Sequence, residues 1–279
     1  MSKLRNKKQL EKFAQYLEEN EKSKATIEKY MRDVKYFLAF VQDKTPDKHM
    51  ILEYKQHLSE KYACASANSM IASLNSYLRF CDEHKLCVKQ FKMQRDAYCS
   101  EAKELTKDEY FRLVRAAEQK GSITLSLIIQ TICSTGIRVS ELQFITVEAL
   151  RKGEAVVNCK GKTRRVFIVA DLRKKLIEYV RKKRLTSGPV FITKSGKPMC
   201  RSNIWREMKK LCRGAGVPPE KVFPHNLRHL FARTFYSIEK DIAKLADILG
   251  HNSINTTRIY IITTGTEHKR KLENMRLII

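Results

Sequence analysis

Between Cys87 and Glu104 the chain loses its apolar periodicity, and this break separates two stretches that must fold by different rules. Before it, apolar side chains recur at three- and four-residue steps, the period of helices with one buried face. Leu10, Phe13, Ala14 and Leu17 form a first stripe. Ser23 reads as the N-cap of a second helix carrying Ile27, Tyr30, Val34, Phe37, Leu38 and Val41. Thr45-Pro46-Asp47 restarts the chain for Met50, Ile51, Tyr54 and Leu58, and Ser66 opens a fourth helix with Met70, Ile71, Leu74, Tyr77, Leu78 and Phe80. The expectation is a four-helix unit over residues 1–86, a polar linker over 87–104 and a second domain over 105–279, the linker being long enough for two domains to clasp a duplex.

The second stretch mixes periods. Thr106 and Glu109 form a capping box at the start of its first helix, and the apolar run Ile123 to Cys133 reads as a buried helix. A bend at Gly136 leads into a turn carrying Arg138 and Glu141, spaced to meet on one helical face. Residues 154–169 alternate as a hairpin, Ala155 to Cys159 against Val166 to Val169, with Lys160-Gly161-Lys162-Thr163 as its turn. Next come a basic helix from Leu172 to Leu185, a short strand Pro189 to Ile192 and a helix around Ile204, Trp205, Met208 and Leu211. Pro224 then starts a helix, with others near 239–249, 253–262 and, basic with an apolar end, 267–279.

Charge narrows the partners. The 279 residues carry 55 Lys plus Arg against 30 Asp plus Glu, a net +25, with a pI near 9.8. A balance this basic points to a polyanion, and nucleic acid leads. It is uneven: residues 1–98 hold 19 basic and 13 acidic side chains (+6), the remainder 36 and 17 (+19). The eight cysteines form no C-x-x-C pair, so they read as reduced thiols of a cytoplasmic protein rather than as zinc ligands. No stretch approaches the ~20 apolar residues of a membrane span.

The chemistry concentrates in residues 225–260, where His225, Arg228, His251 and Tyr260 succeed one another. A side-chain nucleophile that cuts a phosphodiester needs cations around the non-bridging oxygens and a proton for the departing one. Magnesium nucleases supply the charge through clustered carboxylates, and the sequence has no such cluster near Tyr260 or His225. Arginines substitute: their forks grip phosphate in a defined geometry, and Arg228 shares a helical face with His225. Cations around the phosphate also stabilise a phenolate as it forms, which makes Tyr260 a candidate nucleophile.

The ordered set Arg138 with Glu141, Lys160 on a hairpin, His225 with Arg228, His251 and Tyr260, in a basic domain behind a small helical one, resembles the tyrosine recombinase (phage integrase) family over nearly the whole chain, in its short, Xer-like form. The resemblance implies a mainly α fold with a small β-sheet: a SAM-like core-binding domain and an α+β catalytic domain, closing on DNA as a C-shaped clamp. It implies that Arg138 and Arg228 grip the phosphate, that His225 accepts a proton and binds phosphate, and that His251 donates to phosphate. Tyr260 becomes the nucleophile, Lys160 the acid for the 5′-oxygen with Lys162 as its rival, and Glu141 the supporting acid. His229 reads as a helix-packing or phosphate-backbone contact rather than a catalytic group. Lys24, Arg32, Lys162, Arg164, Arg201, Arg206 and Lys209 are expected to touch DNA.

The activity implied by the resemblance is that of a site-specific recombinase, which conserves bond energy in a 3′-phosphotyrosine, exchanges strands through a Holliday junction, and needs no metal or cofactor. Its partners would be double-stranded DNA bearing inverted-repeat sites, three further copies of itself joined through the C-terminal tail, and accessory proteins where a site demands them, all in the nucleoid-bearing cytoplasm. The alternatives are a type IB topoisomerase-like enzyme, with nearly the same catalytic set but relaxing supercoils as a monomer, and a DNA-binding regulator that keeps the fold and has lost the chemistry.

Overall fold

The computed structural model describes residues 7–42, 44–93, 103–159, 162–193, 195–261 and 273–274. The chain divides into two compact units, Met1–Arg95 and Asp96–Ile279, each with its own core. Lys160, the Lys162 side chain and, apart from Glu273 and Asn274, the expected tail helix lie outside the described residues.

Four helices make the first unit: α1 (Lys7–Glu19), α2 (Lys24–Val41), α3 (Lys48–Lys61) and α4 (Cys64–Phe80). Ser23 caps α2 by accepting from the Thr26 N–H, and Asp47 caps α3 by accepting from Met50. Helix α4 begins two residues before the expected Ser66, with Ala63 at its N-cap and no side-chain cap. The apolar stripes meet as expected: Phe13, Leu17, Val34, Phe37, Ile51, Tyr54, Leu58, Ile71, Leu74 and Tyr77 form one buried cluster. Lys29 turns inward, donating to Asp33 Oδ2 at 2.5 Å and to the Ser69 carbonyl, while Ser73 Oγ reaches the same carboxylate at 2.8 Å. Lys24 and Arg32 remain exposed on α2.

Two asparagines on α4 strap the segment beyond it to this core. Asn75 donates to the Val88 carbonyl at 2.8 Å and accepts from its N–H at 3.0 Å; Asn68 does the same to Phe91, at 3.0 and 2.7 Å. Each amide imitates one rung of a sheet, so the chain past Cys87 stays docked although it has no periodicity to show it.

The second unit runs α5 (Lys107–Gln119), α6 (Ile123–Thr135), a 3₁₀ turn Val139–Phe144, α7 (Val147–Lys152), β1 (Glu154–Cys159), β2 (Lys162–Phe167), α8 (Ala170–Lys182), α9 (Arg201–Lys209), α10 (Cys212–Ala215), α11 (Pro224–Glu239), α12 (Ile242–Leu249) and α13 (Ile254–Ile261). The capping box of α5 is present in both directions, Thr106 to Glu109 and back. Strands β1 and β2 are antiparallel, from Glu154 opposite Phe167 to Cys159 opposite Lys162. Ala155, Val157, Val166 and Ile168 face the core, Val156 and Phe167 the solvent.

The hairpin turn is shorter than expected, since Lys162 and Thr163 belong to β2 and that strand ends at Phe167, and three further expectations change. Pro189 to Ile192 forms no strand, only isolated bridges of Thr146 with Pro189 and of Ile192 with Pro198, since Pro189 has no N–H to extend a ladder. Helix α8 starts at Ala170 and ends at Lys182, and Arg184 takes a left-handed turn (φ 55°) that breaks it before Leu185. Helix α9 ends at Lys209, and Trp205 sits 47% exposed beneath the Lys209 ammonium rather than in the core.

Replacing Asn75 with Ala strands the buried N–H and C=O of Val88. We expect a loss of about 1–3 kcal/mol, read as a lower denaturant midpoint at unchanged slope. The exposed Gln56→Ala control should leave the midpoint within about 0.5 kcal/mol.

Candidate active site

The C-terminal end of α12 is the socket of the site. Three consecutive carbonyls there each accept from a different arginine: Ile248 O from Arg164 Nη1 at 2.9 Å, Leu249 O from Arg228 Nη2 at 2.7 Å, and Gly250 O from Arg138 Nη2 at 3.4 Å. A helix ends with unpaired carbonyls and the negative pole of its dipole, so cations are favoured at this position. Gly250 makes the turn in the left-handed region, φ 65°, and a Cβ there would stand 2.6 Å from Arg164 Cδ. Helix α6 supplies a second such end, where Gly136 (φ 64°) offers its carbonyl to Arg228 Nη1. Arg228, 1% exposed, is thus a buried cation held between two helix C-termini.

Glu141 is the counter-charge. It is 1% exposed, with Oε1 accepting from Arg138 Nη1 at 2.8 Å and Oε2 accepting from Arg164 Nη2 at 2.6 Å and from the Arg138 N–H at 2.8 Å. The expected i, i+3 pair exists, but not on a helical face: Arg138 is extended (φ −75°, ψ 149°) at the N-cap of the 3₁₀ turn, and both its backbone and side chain reach the carboxylate.

Tyr260, on α13, lies with its ring buried beside Ala232, Leu245 and Leu249, and three imidazoles surround it. Ring centroids stand 4.3 Å away for His229, edge-on, 5.5 Å for His251, nearly parallel at 14°, and 5.8 Å for His225. His251 Nε2 is 2.9 Å from Arg228 Nη2, and its Nδ1 is 2.8 Å from Thr257 Oγ1. Helix α11 delivers His225, Arg228 and His229 together because they are three and four residues apart, with Pro224 at the first helical position.

Burial governs the titration here. It lowers Arg228 to about 10, helped by Arg138 and opposed by Tyr260, which leaves the guanidinium charged at neutral pH. Burial, then Arg228 and Arg138 among its neighbours, holds His251 at about 4; burial, then His225 and Arg228, does the same for His229. His225 is lowered by burial and by Arg228, Arg201 and Arg138. The three rings are therefore neutral near pH 7, and the fixed charge of the cluster comes from its arginines and Glu141.

Of the residues expected to carry the chemistry, Arg138, Glu141, His225, Arg228, His251 and Tyr260 come together; Lys160 lies outside the described residues. Among the expected DNA contacts, Arg201 and Arg206 are exposed on α9, and Lys209 donates to the Pro219 carbonyl. Arg164 joins the cluster itself: its side chain is 13% exposed and donates to Glu141 and to the Ile248 carbonyl. Strand alternation carried that signal, since 164, 166 and 168 share the face of the buried Val166 and Ile168. Thr257 was missed. Its spacing of three from Tyr260 puts both on one face of α13, but an isolated threonine announces nothing by composition.

Residues 103–266 match the phage integrase family, and residues 10–85 match the phage integrase N-terminal SAM-like domain. The chain is 30% identical to the tyrosine recombinase XerA of Pyrococcus furiosus over 281 residues, covering 96% of this chain and 94% of that one. Among solved structures, a crystal structure of XerA recombinase aligns at TM-score 0.55 and 26% identity, covering 98% of this chain and 99% of that one. A lambda integrase tetramer bound to a Holliday junction aligns at TM-score 0.73 and 19% identity, covering 91% and 76%, a likeness of fold. The chain belongs to the phage integrase family and is a tyrosine recombinase, an enzyme that breaks and rejoins DNA at specific sites.

Two outcomes are expected. Gly250→Ala forces an L residue into the left-handed region against Arg164, and should lower stability by about 1–2 kcal/mol in thermal or chemical melts. Acid should also weaken the fold. His229 and His251 are held near 4 when folded against an ordinary value of about 6.5, so the unfolded chain binds more protons between these values and stability falls as pH drops through that window. Denaturant midpoints at pH 7.5 and 5.0 measure it; His229→Gln should flatten the decline, and an unchanged slope would contradict the assignment.

Proposed function

We propose that Tyr260 attacks a DNA phosphodiester held by Arg138 and Arg228, forming a 3′-phosphotyrosine and releasing a 5′-hydroxyl. The bond from Tyr260 Oη to phosphorus forms as the bond from phosphorus to the 5′-oxygen breaks. His225, neutral and at the rim of the site, accepts the phenolic proton; Lys160 gives a proton to the departing oxygen. Reversal by a 5′-hydroxyl from a partner strand rejoins the DNA without any external energy source.

The arrangement of charge carries this reading. Three guanidinium groups against one carboxylate leave a surplus of two positive charges among the described groups. That surplus suits the two negative charges a pentacoordinate phosphorus gathers on its equatorial oxygens, and it is preorganised before DNA arrives. Arg228 Nε, buried and without a protein partner among the described residues, is a donor that a phosphate oxygen satisfies.

On this reading double-stranded DNA with inverted-repeat sites is the substrate, contacted by Lys24 and Arg32 of the first unit and by Arg201 and Arg206 of α9. Four copies assemble on two synapsed sites through the residues after α13 and act in the cytoplasm, with accessory proteins where a site requires them. The domain limits that serve this function are 1–86, 87–104 and 105–279.

Tyr260→Phe should abolish the covalent protein–DNA adduct on a nicked suicide substrate while duplex affinity stays within about threefold; an adduct in that variant would refute the assignment. The wild-type adduct should form at an unchanged rate in EDTA, and a strict divalent-metal requirement would indicate a metal nuclease instead.

A further inference from the structure

Arginine has donors and no acceptor. With Arg228 Nη2 at 2.9 Å, His251 Nε2 must receive that hydrogen bond on its lone pair, so the proton of the neutral ring is on Nδ1. Nδ1–H then donates to Thr257 Oγ1 at 2.8 Å, an atom on a side chain with no exposed surface. The groups facing His251 from each packed element are Arg228 and His225 on α11, Arg138 at the 3₁₀ turn, Arg164 on β2 and Tyr260 on α13. None of the charged ones can accept from its ring. In the free site His251 is therefore an acceptor, whereas a phosphate oxygen asks it to donate.

We propose that Thr257 is a positioning residue for cleavage, holding the His251 ring in place while Nε2 changes from acceptor of Arg228 in the free site to donor of a phosphate oxygen in the loaded one. The inference rests on the proposed phosphotransfer by Tyr260. When phosphate takes the Arg228 N–H that His251 had occupied, Nε2 is left facing an oxygen and needs a proton. One proton leaves Nδ1 and one arrives at Nε2 by way of water at the open edge of the ring, so the net charge does not change. A hydroxyl supports both tautomers, because it accepts from Nδ1–H in one and, after rotating about Cβ–Oγ1, donates to bare Nδ1 in the other. A backbone carbonyl or a carboxylate in its place accepts only and locks the first form. Thr257 also joins the histidine to the nucleophile, since it precedes Tyr260 by three residues on the same face of α13.

The test compares wild type, Thr257→Ser and Thr257→Val in three readouts. On a nicked suicide duplex, Val should slow formation of the Tyr260 adduct roughly 10- to 100-fold, the consequence of an unpartnered buried Nδ1, while Ser stays within about threefold. Duplex affinity should be equal in all three. Nitrogen chemical shifts of His251 in the DNA-free wild type should report the Nδ1–H tautomer. Val cleaving at the wild-type rate, or a free wild-type ring protonated on Nε2, overturns the proposal. Should Val fail to fold, the Ser rate and the wild-type tautomer still decide it. A wild type that forms no Tyr260 adduct counts against the phosphotransfer reading itself, and the tautomer measurement then judges Thr257 separately.

Discussion

The structure of the catalytic unit depends on one buried guanidinium. Taking Arg228 out of water carries a desolvation penalty of several kcal/mol, and it is offset only if every nearby acceptor is well placed. Here two helix ends do the placing. Helix α6 stops at Gly136 and α12 at Gly250, both left-handed, and each presents to Arg228 a carbonyl that has no partner in its own helix. The cation in turn ties α6, α11 and α12 together at one point, so the alignment of the site is a by-product of burying the group.

The same helix end serves the other two arginines, and this turns three separate side chains into one unit. Because Ile248, Leu249 and Gly250 are consecutive, their carbonyls fan around the end of α12 and hold Arg164, Arg228 and Arg138 at fixed separations. Glu141 prevents their mutual repulsion from opening the cluster, yet it neutralises only one charge in three. On the proposed function a phosphodiester completes the balance, and Tyr260 lies against His251 and the end of α12 beside the cluster.

Most of this was legible in the chain, for reasons that differ by residue. Helices α2, α3 and α5 announce themselves twice, by apolar period and by cap chemistry at Ser23, Asp47 and Thr106. His225, Arg228, His251 and Tyr260 were visible as residue types suited to phosphate chemistry, and the ordered set tied them to Arg138 and Glu141. The tie of Arg164 to Glu141 was less legible, because its charge drew attention to DNA while only strand alternation pointed its side chain inward. The strap of Asn68 and Asn75 onto Phe91 and Val88 left no trace, since an amide that pairs with backbone looks in sequence like any polar helix residue. Thr257 was hidden for the same reason: a single hydroxyl acquires a role only through its neighbour across a loop.

The central claim is that the arginine-lined cluster delivers a scissile phosphate to Tyr260. Its most direct test is proteolysis and mass spectrometry of the covalent complex trapped on a nicked duplex, which locates the attached nucleotide by residue and by strand polarity. The account predicts a 3′-phosphate esterified to Tyr260 and a free 5′-hydroxyl on the released strand. Attachment to any other residue, or through a 5′-phosphate, would contradict it.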